Sequence, residues 1–182
     1  MREFLAVDID HKHLNKIAGI QRRLSDADAP VKFVERENLH LTLKFFGEIS
    51  ADKNKEIIRI VQEKLKKIKP FPLHIRGMGV FPNLGYIRVV WLGIEEPNNF
   101  SVIQKDLDQD FINMGFKKER NYTAHLTIGR VKGAHNKEAL VAKIKELEEI
   151  DIGEMNVDRV VLKKSELTPA GPIYTILHEF WL

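Results

Sequence analysis

Two five-residue segments constrain this chain more than any other feature: Leu39-His40-Leu41-Thr42-Leu43 and Ala124-His125-Leu126-Thr127-Ile128. In each, apolar residues alternate with a histidine and a threonine two positions apart. Side chains two apart on a β-strand share a face. Each segment therefore predicts a strand with apolar side chains against a core and an imidazole beside a hydroxyl on the other face. Strict alternation puts His40, Thr42, Lys44 and Phe46 on one polar face, and His125, Thr127 and Gly129 on the other.

The surroundings of the two segments repeat as well. Phe4 to Ile9 reads as a buried strand, and Asp10 caps a helix with Leu14, Ile17, Gln21 and Leu24 in register. Val31 to Val34 is a short strand. After the first histidine strand, Ser50 opens a helix carrying Ile57, Val61 and Leu65, and Phe71 to Phe81 is a strand. The second half begins with an apolar strand, Tyr86 to Ile94, and a helix with Phe100, Ile103, Leu107 and Phe111. The second histidine strand follows, then a helix capped by Asn136, then a hairpin of Asp158 to Lys164 and Ile173 to Trp181. The expected fold class is α+β, as a single bilobal domain. Its pseudo-symmetric halves, about 1–83 and 84–182, each hold an antiparallel sheet and two helices, with a cleft between them.

Composition narrows the chemistry. The 182 residues include no cysteine, which excludes a thiol nucleophile, a disulfide framework and a cysteine-type zinc site. The formal charge of +3 permits an anionic partner without demanding one. The first eight residues are too soon interrupted by acids to read as a signal peptide, and no apolar run approaches a membrane span. A cytoplasmic protein with no membrane partner is expected. His11-x-His13 is the only close histidine pair. Both residues read as solvated at a helix start, and no metal site is expected there. No Walker loop or dinucleotide fingerprint is present, so no cofactor is expected.

Two equivalent imidazoles suit acid–base displacement at phosphorus. In-line attack places nucleophile and leaving oxygen on opposite sides of the phosphorus. One group takes a proton from the attacking water while another protonates the departing alkoxide. Histidine can hold either state near neutrality. Thr42 and Thr127 supply hydroxyl donors for the non-bridging oxygens. A histidine strand alone is more often structural, but two copies at matching places are not required by packing. Symmetry does not say which histidine is acid and which is base.

These motifs make the chain resemble the two-histidine phosphoesterase superfamily, in its branch of RNA 2′,3′-cyclic phosphodiesterases, also called 2′-5′ RNA ligases. The resemblance is carried by His40-Leu41-Thr42-Leu43 and His125-Leu126-Thr127-Ile128. Phe45-Phe46-Gly47, Phe81-Pro82, Val90-Trp91-Leu92-Gly93, Ser165-Glu166-Leu167 and Gly171-Pro172-Ile173-Tyr174 support it. It implies metal-independent hydrolysis of RNA 2′,3′-cyclic phosphate ends to a 2′-phosphomonoester, with 2′-5′ ligation of tRNA halves as related chemistry. It implies His40 as proton donor and His125 as proton acceptor.

Arg130, five residues after His125, is a candidate phosphate ligand if the strand ends or a bulge at Gly129 re-aims it. Phe46 is a candidate for stacking on a base. Lys117, Lys118 and Arg120 are candidates for guiding an anionic strand into the cleft. A monomer is expected. The alternatives are an RNA-binding module that holds a phosphate without cleaving it, and a phosphodiesterase for small cyclic nucleotides or 2′-5′ oligoadenylates.

Overall fold

The computed structural model describes residues 1–182. Its strands are β1 (Arg2–Asp8), β2 (Val31–Phe33), β3 (His40–Glu48), β4 (Phe71–Asn83), β5 (Tyr86–Glu95), β6 (His125–Val131), β7 (Asp151–Val157), β8 (Arg159–Thr168) and β9 (Gly171–Trp181). Its helices are α1 (His11–Ser25), α2 (Ala51–Leu65), α3 (Asn98–Asn113) and α4 (Lys137–Glu146). No helix is long and apolar enough to cross a membrane.

All nine strands join one sheet in the order β7-β4-β5-β6-β3-β1-β8-β9, with β2 added beside β6. Every pairing is antiparallel. The two histidine strands, β3 and β6, meet at the centre. On either side lies the first strand of each half, β1 and β5. Outside these, the halves exchange strands: β4 follows α2 in sequence but pairs with β5, and β8 follows α4 but borders β1. The 83/84 division therefore falls inside the β4–β5 hairpin and does not coincide with the two flanks of the sheet.

Helical periodicity places one apolar stripe of each helix on the sheet. On α1 the stripe is Leu14, Ile17, Ile20 and Leu24; on α2 it is Ile57, Val61 and Leu65. Helix α1 packs with α4 over β6 and β7, and α2 with α3 over β3 and β9. Their stripes share one continuous core with Leu41, Leu43, Leu126 and Ile128. A separate small cluster of Phe4, Ala6 and Val161, covered by Tyr174, lies on the opposite face of the first flank.

Asp10 and Ser50 cap α1 and α2, accepting hydrogen bonds from the amides of Lys12 and Lys53. Asn136 stands at the N-terminus of α4 but makes no capping bond; its side chain donates to the Asp28 carbonyl, tying the helix start to the end of α1. His13 is not solvated. It is buried beneath β7, and its Nε2 bonds the Glu154 carbonyl at 2.8 Å.

One close approach matters for the site. Trp91 of β5 lies across its cross-strand neighbour Gly79, where an added Cβ would come within 2.3 Å of the indole. The absent side chain lets the ring lie flat beside Phe81. Gly79→Ala is expected to destabilise the fold by about 1–3 kcal/mol, as overpacking does. Urea denaturation of the variant and the parent checks this.

Candidate active site

The site is built where β3 and β6 meet. They pair at a single position, Leu41 with Leu126, and then diverge. In an antiparallel pair the neighbouring positions run in opposite directions. His40 is thereby set toward Thr127 and His125 toward Thr42, on opposite sides of the contact. The chain that leads into each histidine strand lines the other. Val31–Phe33 pairs with the far end of β6, and the Tyr122 hydroxyl donates to the Thr42 carbonyl at 2.7 Å. The divergence leaves a cavity of about 620 Å³ on the face opposite the helices. His40, Thr42, His125, Thr127 and Arg130 all line it.

The two imidazoles are held identically. His40 Nδ1 lies 2.6 Å from the Asn38 carbonyl, and His125 Nδ1 lies 2.7 Å from the Thr123 carbonyl. In each case the acceptor is the carbonyl two residues earlier. A carbonyl only accepts, so Nδ1 carries the proton in both rings and Nε2 is the nitrogen left for the cavity. A neutral ring then offers a base at Nε2, and a protonated ring offers an acid there.

The surroundings of the rings differ. His40 packs against Phe4 at 4.9 Å and the edge of Tyr174 at 5.5 Å. His125 meets the edge of Phe81 at 5.0 Å and lies 6.3 Å from Trp91. The protein around His40 is dense, and desolvation pushes its pKa down to about 4. The Asn38 hydrogen bond opposes that shift, Lys163 and Arg130 add to it, and Asp8 works against it. His40 is therefore neutral at pH 7.

Arg130 reaches the cavity through a bulge. Thr127 faces Trp91 and Gly129 faces Val90, so Ile128 is the extra residue and the strand's alternation shifts by one. A Cβ at Gly129 would stand 2.8 Å from Val31 Cγ1, so a larger residue there would have to displace Val31 of β2. β3 carries the matching bulge, with Thr42 facing Ala6 and Lys44 facing Leu5. Each bulge falls three residues after its histidine. In β3 it brings Phe45, not Phe46, onto the cavity face.

Phe45 is 58% exposed, lines the cavity and lies 5.3 Å from Phe4. Phe46 is buried edge-on against Phe111 and Phe116 in the helical core, so it is not placed to meet RNA. Lys117, Lys118 and Arg120 are exposed but do not line the cavity. The member of that run that does is Glu119. The Lys117 carbonyl instead accepts from the buried Lys44. Three further cations that the sequence pattern does not single out line the site: Arg2, Lys132, and Lys32, which faces Arg130 across the β2–β6 ladder. Tyr174 was also unforeseen as a lining residue, though it sits within the quoted Gly171-Pro172-Ile173-Tyr174 segment.

The neutral, half-buried His40 has a consequence for stability. The folded chain binds fewer protons at this ring than the unfolded chain between pH 6.5 and about 4. Its contribution is thus fully present above pH 6.5 and lost as pH falls through that window, by ~3 kcal/mol down to pH 4. His40→Asn is expected to remove that part of the pH dependence. Denaturant midpoints of both proteins between pH 4 and 7 check it.

The description of the matching family model is the 2′-5′ RNA ligase superfamily, and it covers residues 10–168. A Methanothermobacter thermautotrophicus protein named RNA 2′,3′-cyclic phosphodiesterase is 53% identical over 100% of this chain and 99% of its own length. A protein of the same name from Methanocaldococcus jannaschii is 43% identical over 99% of this chain and all of its own. Among solved structures, E. coli LigT complexed with 3′-AMP superposes with a TM-score of 0.81 at 25% identity, covering 100% of this chain and 97% of that one. With its paired histidine strands, the chain belongs to the 2′-5′ RNA ligase superfamily.

Proposed function

We propose that this chain is a cyclic phosphodiesterase that opens the 2′,3′-cyclic phosphate at an RNA end and leaves the phosphate on the 2′ oxygen. The observation that carries the reading is the matched pair of histidines, each presenting Nε2 to one cavity through the same Nδ1-to-carbonyl bond. The names of its relatives support the same substrate class.

In the proposed mechanism the cyclic phosphate lies between the two rings. His125 Nε2 takes a proton from water as its oxygen bonds to phosphorus. The P–O3′ bond breaks, and His40 Nε2 gives its proton to the departing 3′ oxygen. Thr42 and Thr127 donate to the non-bridging oxygens, and Arg130 offers a guanidinium to the same charge. His40 must be protonated for this role, which its desolvated surroundings disfavour. The phosphate anion reverses the preference, because a negative charge beside an imidazole favours imidazolium. A 5′-hydroxyl in place of water gives a 2′-5′ bond by the same proton transfers.

The reading is tested with an oligonucleotide ending in a 2′,3′-cyclic phosphate, its products separated by phosphate position, with and without EDTA. A 2′-phosphate is expected in both conditions. His40→Ala and His125→Ala are each expected to lose about 10²–10⁴-fold in kcat while keeping their circular dichroism. Full turnover by either variant would sink the mechanism. RNA left intact but bound in a salt-sensitive manner would identify a binding module instead. Faster hydrolysis of a small cyclic nucleotide or a 2′-5′ oligoadenylate would change the substrate.

A further inference from the structure

The two histidines share a tautomer but not a backing. Across the ladder from His125 stands Gly93 of β5, and the nearby space is filled by the rings of Phe81 and Trp91. Across from His40 stands Asp8 of β1. Alternation puts Asp8 on the same face of β1 as Ala6 and Phe4, the face on which Phe4 meets His40. Lys163 of β8 stands opposite Phe4 and is 4% exposed. Its ammonium donates to the Asp8 carboxylate. Arg159 approaches the same carboxylate at 3.6 Å. An ion pair with a buried ammonium and a half-buried carboxylate thus lies beside one histidine and not beside its counterpart.

Stability is a poor explanation for such a pair. Taking two charges out of water costs about as much as their attraction returns, and apolar replacements are often neutral or better. Position explains it better. The groups that face His40 are Asp8 from β1, Lys163 from β8, Arg130 from β6 and the Tyr174 ring from β9. An unopposed carboxylate beside His40 would hold the imidazolium too tightly to release its proton to an alkoxide. An unopposed ammonium would keep the ring from being protonated at all.

We propose that Asp8 and Lys163 are positioning residues whose opposed charges set how readily His40 takes up and gives away its proton. The proposal rests on the reading of His40 as the acid. It also accounts for two symmetric histidines having unlike roles, since only one has charges behind it.

The test is an NMR titration of ¹³C-labelled histidine in the full chain saturated with inorganic phosphate. The His40 signal is assigned by its loss in His40→Asn. Lys163→Met is expected to raise the His40 pKa by about one unit, and Asp8→Asn to lower it by about as much. The double variant is expected to return most of the way to the parent. It also keeps the test open if a single variant with one unpaired charge fails to fold. Opposite shifts support the proposal. Same-direction shifts in the single variants, none in either, or a double variant that stays displaced overturn it. Full hydrolysis by His40→Asn overturns instead the reading of His40 as the acid, whatever the titrations show.

Discussion

The site depends on one contact between two strands. Leu41 and Leu126 are fully buried and form the single ladder position at which β3 and β6 pair. Were the strands paired along their length, their polar faces would form a flat surface with no cavity between them. Were they apart, the two imidazoles would belong to different places. A joint one position long brings both histidines to its two sides and lets the strands part beyond it. The parted ends are not left open, because backbone groups without partners are costly to bury. The segments leading into the histidines fill them, and the same segments supply the carbonyls that orient the rings.

Much of this is legible in the chain. The alternation of Leu39, Leu41 and Leu43 against His40 and Thr42 is the strand, and its recurrence is the site. The helices follow from stripes such as Ile57, Val61 and Leu65. What escapes local reading has definite physical causes. A bulge leaves no mark in the alternation itself: Leu43 and Ile128 look like any other core-facing residue, yet each shifts the strand beyond it by one position. That is why Phe45 and Phe46 exchange faces. Strand β7 hides because Gly153, Glu154 and Asn156 dilute its apolar positions, Ile152, Met155 and Val157, and because a register shift beside Gly153 interrupts the pattern. Nothing local marks Lys44 and Lys163 as buried, since burial of a charge is decided by partners far off in sequence, Asp108 and Asp8. The exchange of β4 and β8 between halves is likewise a long-range pairing, invisible to any window of neighbouring residues.

The fold and the site also differ in how closely they obey the internal symmetry. Packing respects it: the order of strands outward from the centre, the bulges and the Nδ1 bonds all match. The groups around the rings do not. Phe45 stands where Arg130 stands in the other half, and Asp8 stands where Gly93 stands. Symmetry builds the cavity, and its departures distinguish two rings that the backbone treats alike.

The exchanged strands carry a further meaning. A single repeat, taken alone, would leave β1 or β5 with a bare edge of amide and carbonyl groups, the kind of edge that pairs with another chain. In this protein each edge is closed by a strand from the other repeat. The cleft is accordingly not a hinge between independent bodies: the two flanks of the sheet are threaded through one another, and neither repeat could be cut away without unpicking the sheet that holds the other.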